Sequence, residues 1–365
     1  MELFLFLIMS EPSGITKGRG AQQEVPNRFE KFTHVPRTDF QEFCHRDGEE
    51  TKVRTQYLNV FPKTVVNRVD SPDVGMAYSM NPYQGCEHGC VYCYARNTHE
   101  YWGFGPGIDF ESRILIKANA PSLLEAHLRK PGWKAETIVL SGNTDCYQPA
   151  EQKFRLTRAC LEVFLRYRHP VGIITKNALV LRDLDVLRAL NEDRLVGVHI
   201  SVTSLDRNTR RLLEPRTATT AQRLKTIEKL SRAGIPVNAM LAPIIPGINS
   251  HEVMQLAKSV SEAGARSFGL SVVRLNGAIG QIFTTWIERA MPDRAEKVLQ
   301  QIRDCHGGSL NDSRFGLRNR GEGPIADQIH RMAKVARKKY FKESALPGLN
   351  KSLHAEYKTG QLRLF

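Results

Sequence analysis

The sequence predicts an α/β protein built on a parallel sheet, and three observations support this. Short apolar runs rich in β-branched residues alternate with segments of helical period from residue 75 onward. Each run is followed at once by polar or turn-forming residues. The 365-residue chain, 41% hydrophobic and 25% charged, has the composition of a globular protein with a substantial core.

Residues 1–74 offer no sustained period and predict an irregular N-terminal extension. The opening "MELFLFLIMS" is too short to span a bilayer and carries Glu2 where a signal peptide carries lysine or arginine. No other window approaches a spanning length, so a soluble protein with no membrane partner is expected. The second region, residues 75–300, carries the alternation. Its strands are "ETIVLSG" (136–142), "VGIITK" (171–176), "VGVHISV" (196–202), "VNAMLA" (237–242) and "FGLSVV" (268–273), with a sixth in the stretch before Cys86. Between them lie the helical segments "FRLTRACLEVFLRY", "LRDLDVLRALNE", "TAQRLKTIEKLSRAG" and "SHEVMQLAKSVSEAG". Gly234 and Gly264 stand where left-handed C-caps belong, and Ser250 where an N-cap belongs. Residues 301–365 form a basic C-terminal segment and tail.

Strand-helix alternation implies βαβ units and a parallel sheet, doubly wound or closed toward a barrel. In such folds chemistry sits at the carboxyl ends of the strands. The segments "GNTD" (142–145), "TKN" (175–177), "SVTS" (201–204), "PIIPG" (243–247) and "RLNG" (274–277) therefore converge on one rim. A formal charge of +14 favours an anionic partner, nucleic acid foremost.

Seven cysteines do not make a secreted disulfide framework here. Cys86, Cys90 and Cys93 crowd one loop, while Cys44, Cys146, Cys160 and Cys305 are scattered, which suits a reducing cytoplasm. Thiolates select zinc, copper or iron-sulfur clusters. Three are one short of a closed zinc site, which His88 or His99 could complete. On a four-iron cluster, three thiolates leave one iron open to a substrate or cofactor.

Cys86-x3-Cys90-x2-Cys93, with Tyr92 just before the last cysteine and strand-helix alternation after it, resembles the radical SAM superfamily. The resemblance implies a partial (β/α)6 TIM-type barrel, a 4Fe-4S cluster held by the three cysteines, and S-adenosyl-L-methionine on the fourth iron. One-electron cleavage then yields methionine and a 5′-deoxyadenosyl radical that abstracts hydrogen. Tyr92 matches the position that packs on the adenine. Asn143 and Asp145 lie in the slot recognising the amino group, here without the glutamate often found there. Lys176 and Ser201 match positions that hold the carboxylate.

The segments "CYAR", "TDCYQPAE", "ITKN", "SVTSLD", "LLEPR", "PIIPGIN", "KGRGA", "NRFE" and "DSRFGLRNRGEG" are similar to the DNA-repair-photolyase-like branch related to spore photoproduct lyase. Those lyases use a cysteine near this strand as a hydrogen donor. Cys146 is the candidate here, although it is out of register with the lyase cysteine. Arg216 is expected to anchor its loop through Glu214 or to contact an anion.

The basic stretch from Asp312 to Lys342 interleaves arginines with Phe315 and Tyr340, as phosphate contact and stacking need. The terminus "TGQLRLF" resembles the peptide by which bacterial repair proteins dock on the DNA sliding clamp, with Gln361 for a polar pocket and Leu362, Leu364 and Phe365 for an apolar one. The expected protein is a cytoplasmic radical SAM enzyme reduced by a flavodoxin or ferredoxin, with a nucleic-acid substrate. Its rivals are a radical SAM modifier of RNA or protein, and a non-catalytic iron-sulfur or zinc protein associated with DNA.

Overall fold

The computed structural model describes residues 18–30, 53–341 and 347–358. Among the described residues, ten strands fall into two sheets. The larger contains β2 (Val66–Arg68), β3 (Tyr78–Met80), β6 (Ile138–Leu140), β7 (Val171–Thr175), β8 (Val196–Ser201), β9 (Val237–Ile244) and β10 (Ser267–Val272), in spatial order β10-β9-β8-β7-β6-β3-β2. From β3 to β10 every pairing is parallel, and only β2 runs antiparallel. These are the six expected strands in sequential order, and β10 does not pair back to β2. The result is an open, partial barrel.

A small sheet of β1 (Gln56–Val60), β5 (Arg113–Lys117) and β4 (Tyr83–Gln84) stands beside it. Strands β1 and β2 lie in the stretch expected to be irregular up to residue 74. Neither has a fully buried residue, so neither carries an apolar alternation to read.

Helices α1 (Ala120–Leu128), α2 (Leu156–Arg166), α3 (Leu184–Glu192), α4 (Thr220–Arg232) and α5 (Val253–Glu262) connect the parallel strands. They bury their apolar faces in one core with Ile138, Ile173, Val198, Ala239 and Leu241. A reciprocal capping box of Thr219 and Gln222 starts α4. Left-handed glycines close α4 and α5, with φ of 81° at Gly234 and 99° at Gly264. Ser250 is not the N-cap. It opens a short 3-10 turn, Ser250–Glu252, ahead of α5, and Asn249 occupies the capping position. The Asn249 side chain ties the loop together instead, accepting from Ile245 N at 2.6 Å and donating to Thr203 O at 2.7 Å.

The chain continues through α6 (Ala278–Ala290), α7 (Ala295–Asp304) and α8 (Gly323–Tyr340). The division expected at residue 300 falls inside α7, whose apolar face joins the second core cluster with α6. No helix among the described residues is long and apolar enough to cross a membrane.

Under the sheet, His169 is 0% exposed, with Nδ1 3.0 Å from Pro170 O and Nε2 accepting from Trp133 Nε1 at 3.1 Å. A neutral ring with its proton on Nδ1 satisfies both contacts, whereas protonation would turn Nε2 against a donor. Burial, reinforced by His354 and His127, holds its pKa down at about 3. The unfolded chain therefore binds this proton first. Stability from the site is complete above the ordinary histidine value and is lost as pH falls toward the folded one, by up to about 1.4 kcal/mol per pH unit. Thermal melts at pH 7 and pH 5 should show a fall in Tm for the native protein and a smaller fall for His169→Gln. Equal falls would remove His169 as the cause.

Candidate active site at the cysteine loop

The cysteines lie on the excursion that leaves β4 and returns at β5, and backbone geometry shapes its start. Gly85 has a φ of 79°, and a Cβ there would sit 2.9 Å from Arg113 O. Gly89 has a φ of 66°, and its Cβ would sit 2.8 Å from a Glu111 carboxylate oxygen. Both positions require glycine. Cys86 N donates to Phe110 O at 2.8 Å, and Val91 N to Leu213 O at 3.1 Å. Gln148, after β6, brackets the first cysteine: its Nε2 donates to Gly85 O and its Oε1 accepts from Glu87 N, both at 3.0 Å.

Arg96 anchors the loop. It is fully buried, donates to Cys90 O from Nε at 3.1 Å and Nη2 at 2.9 Å, reaches Pro106 O and Gly107 O, and pairs with Glu111. Glu111 also accepts from Gly20 N at 3.0 Å and Ala21 N at 2.8 Å. Arg19 adds a bond to Glu111 O at 2.6 Å, so Arg19, Gly20 and Ala21 strap the loop.

Cys86 and Cys90 are buried and Cys93 is half-buried. Burial pushes the Cys86 thiol well up, and Asp145, Cys90 and Cys93 push it further. Cys90 is raised by burial and Glu214, against the pull of Lys176. Thiols on one loop ionise together most readily when a strongly cationic group joins them. Among the described residues, no three His, Cys, Asp or Glu side chains converge as a single metal ion requires. His88 engages Asp145 through Nδ1 at 3.3 Å and Asn177 through Nε2 at 3.2 Å. His99 lies in an aromatic pocket against Phe104 and Phe110. Neither histidine is placed to complete a zinc site. Thiolates on a four-iron cluster occupy separate corners, which suits this arrangement.

The rim residues expected from sequence come together above β6, β7 and β8, but in different states. Lys176 points at the loop, its Nζ 6.0 Å from the Tyr92 ring centroid. It makes no direct ion pair among the described residues. Burial opposes its charge, while Cys90 and Glu214 raise its pKa. Ser201 ends β8 at 2% exposure, and its hydroxyl has no partner among the described residues. Asn143 is held by its backbone N–H on Asn81 Oδ1 at 2.9 Å, which leaves its amide free. Tyr92 is buried with its hydroxyl on Glu214, so only its ring is available to a ligand.

Two expectations fail on geometry. Asp145 uses its carboxylate on Thr175 Oγ1 (2.7 Å), Lys176 N (2.8 Å), Tyr147 N (2.9 Å) and His88. Burial works against its charge, but His88 and these donors hold its pKa at about 2. With its acceptor sites filled it ties three rim segments together and has none left for a cofactor. Cys146 is 0% exposed and packs in the main core, its thiol beside Ser141 and Thr157. Thr157 belongs to α2, outside the sheet, so the thiol faces the helix layer and not the rim. Arg216 is exposed, and Glu214 pairs with Arg223 instead. Burial opposes the Glu214 charge, yet Arg223, Lys176 and Tyr92 hold its pKa at about 2.

Arg96, Glu111, Gln148 and Arg223 escaped the sequence reading. The available signal was a charged residue inside the apolar, aromatic "CYAR".

These features define a cluster-binding partial barrel, and the chain belongs to the radical SAM superfamily. Residues 80–260 match the family model described as "Radical SAM superfamily". A protein of Mycobacterium tuberculosis is 32% identical over 250 residues, spanning 68% of this chain and 74% of its own. One of Methanocaldococcus jannaschii is 29% identical over 196 residues, 53% of this chain and 70% of its own. Spore photoproduct lyase complexed with dinucleoside spore photoproduct shares the fold, with a TM-score of 0.57, 15% identity, and 80% of this chain and 81% of that one covered. Family members are enzymes that bind a 4Fe-4S cluster and S-adenosylmethionine.

Arg96→Ala would leave Glu111 buried without its partner, at an expected cost of about 3–5 kcal/mol. Urea denaturation measures it, and a loss under about 1 kcal/mol would show that the pair does not hold the loop.

Proposed function

We propose that this chain is a radical SAM enzyme acting on nucleic acid, with Cys86, Cys90 and Cys93 as the cluster ligands. The observation that carries the reading is the placing of Cys86, Cys90 and Cys93 on one loop. The Lys176 ammonium points at that loop, 6.0 Å from the Tyr92 ring centroid, and makes no direct ion pair among the described residues.

When bound, the cluster and S-adenosylmethionine supply a one-electron cleavage that releases a hydrogen-abstracting 5′-deoxyadenosyl radical. The electron comes from a flavodoxin or ferredoxin. Lys176 and Ser201 offer an ammonium and a hydroxyl to the amino-acid carboxylate, and Asn143 offers its free amide to the amino group. The Tyr92 ring, fixed by its hydroxyl on Glu214, packs on the adenine. Asp145 positions the Lys176 backbone and His88 rather than touching a ligand. Cys146 has no part in this reading.

Nucleic acid is favoured by the net charge of +14 and by the basic segment, whose Asn319 O accepts from Val272 N at the end of β10. The spore photoproduct lyase structure holds a dinucleoside photoproduct, which agrees with such a substrate. The sliding-clamp residues Gln361, Leu362, Leu364 and Phe365 lie outside the described residues. Their docking remains part of the proposal on sequence grounds.

The test is anaerobic: reconstitute with iron and sulfide, reduce with dithionite, add S-adenosylmethionine, and follow 5′-deoxyadenosine with DNA, with RNA and alone. Nucleic acid should stimulate formation. Formation indifferent to both would move the substrate to protein, and none from a well-assembled cluster would end the catalytic reading. Cys90→Ala should stay folded and lose cluster absorbance, and full occupancy would refute its ligand role. Lys176→Met should weaken S-adenosylmethionine binding by roughly 10- to 100-fold, the worth of a hydrogen bond to a charged group, with the cluster spectrum unchanged.

A further inference from the structure

A basic groove lies on the basic segment, with none of its lining residues on the cysteine loop. It has a volume of about 500 Å³ and is lined by Arg320, His330, Lys334 and Arg337, with Asp73, Asn319, Gly316 and Leu270. His330, Lys334 and Arg337 recur at helical spacing on α8, so they share one face. The adjoining face, with Ala326, Ile329, Ala333 and Ala336, is packed in the core. Arg320 and Lys334 are exposed and have no ion pair among the described residues. Arg337 stands over Phe268 at 4.6 Å, which fixes its guanidinium at the groove wall. The single carboxylate in the lining, Asp73, is already neutralised by Arg318 at 2.5 Å and by Gly316 N at 2.6 Å.

From this groove a line of groups runs to the reaction rim. Arg318 stacks on one face of Phe315, 4.4 Å from its centroid, and Phe315 is 59% exposed. Arg318 and Asp73 act electrostatically on Arg274, just beyond β10, and so does Tyr94. Tyr94 directly follows Cys93, and its hydroxyl bonds Gly142 O. An arginine over one side of an exposed aromatic ring leaves the other side open, which suits an anionic chain carrying flat bases.

We propose that the groove of Arg320, His330, Lys334 and Arg337 binds the phosphodiester backbone of a nucleic-acid strand. The strand continues past Phe315, which stacks a base, and Arg274 toward the cysteine loop. This rests on the nucleic-acid reading above and adds where, and through which groups, the strand is held.

The test is fluorescence polarisation of labelled single-stranded DNA, duplex DNA and RNA over a potassium chloride series, using the full chain. For a single strand each phosphate contact contributes about 0.7 to the slope of log K against log salt. Arg320→Gln/Lys334→Gln should lower that slope by about 1.4 and weaken binding on the order of tenfold or more. Deoxyadenosine formation without oligonucleotide and the Tm should not change. Arg320→Lys/Lys334→Arg should restore the slope. Phe315→Ala should weaken single-strand binding roughly tenfold with the slope intact, the signature of stacking.

If the native protein binds an oligonucleotide and the double variant keeps affinity and slope, the groove is not the site and the nucleic-acid reading stands. If the native protein binds no strand of any kind, that reading falls and the groove assignment with it. Equally tight binding of polyglutamate, indifferent to Phe315→Ala, would give the groove to an acidic polypeptide and overturn the proposal.

Discussion

The site depends first on one guanidinium. Arg96 has no solvent access, and its donors reach the Cys90 carbonyl, two backbone carbonyls of the returning chain and Glu111. A planar fork of five donors is suited to such a task, since it fixes three segments at once. The cost is a buried charge, tolerable only because Glu111 is itself saturated by Arg96 and the Gly20 and Ala21 amides. Position and chemistry are thus separated. Arg96 and Glu111 fix the loop without contacting the rim, and the thiols are left for a ligand.

The second constraint is the open sheet. A barrel of six strands leaves β10 with an unpaired edge, which would invite association. The segment before α8 covers it: Asn319 O accepts from Val272 N at 2.9 Å, and Leu310 O from Leu275 N at 2.8 Å. The other edge ends in the turn carrying Ser71 and Asp73, and both side chains meet Arg318. The two edges are therefore joined through side chains, not by a strand ladder. This seam brings the basic segment to the rim, so its charge and the edge protection are one arrangement.

Strands β6, β7 and β8 were legible because they are largely buried runs rich in β-branched residues, of the kind that parallel sheets favour. Alternation left a doubly wound sheet and a barrel both open, and the sequential order followed from the family resemblance. Cys86, Cys90 and Cys93 were legible as candidate cluster ligands because three soft ligands stand within eight residues. The small sheet was not, since β4 has two residues and β1 no buried one. Nor was the anchoring of the loop: Arg96 and Glu111 pair across 15 residues, and Glu87 meets Gln148 across 61. Cys146 and Asp145 show the finer limit. They are adjacent in sequence at the same rim, yet one side chain turns to the helices and the other is filled by protein donors. Sequence position gives nearness to a site, while side-chain direction is set by the turn.

Hydrogen-bond satisfaction also divides the lumen into a floor and a binding layer. On the lumen side of β8, His199 stands opposite Asn238 of β9, with Asn238 Nδ2 3.1 Å from His199 Nδ1. Ser267 of β10 donates to Asn238 Oδ1 at 2.6 Å. Burial lowers the His199 pKa, so this layer is neutral and supplies its own partners. Two residues further along the same face comes Ser201, whose hydroxyl has none among the described residues, and beyond the end of β7 comes Lys176, without a direct ion pair. A self-satisfied layer has little to gain from a polar ligand, whereas an unpaired ammonium and hydroxyl in a half-buried rim gain the full worth of their missing bonds. The preference for the carboxyl end of the sheet is therefore energetic here as well as topological. In the proposed reading, a ligand carrying a carboxylate is drawn one layer above the floor, toward the cysteine loop.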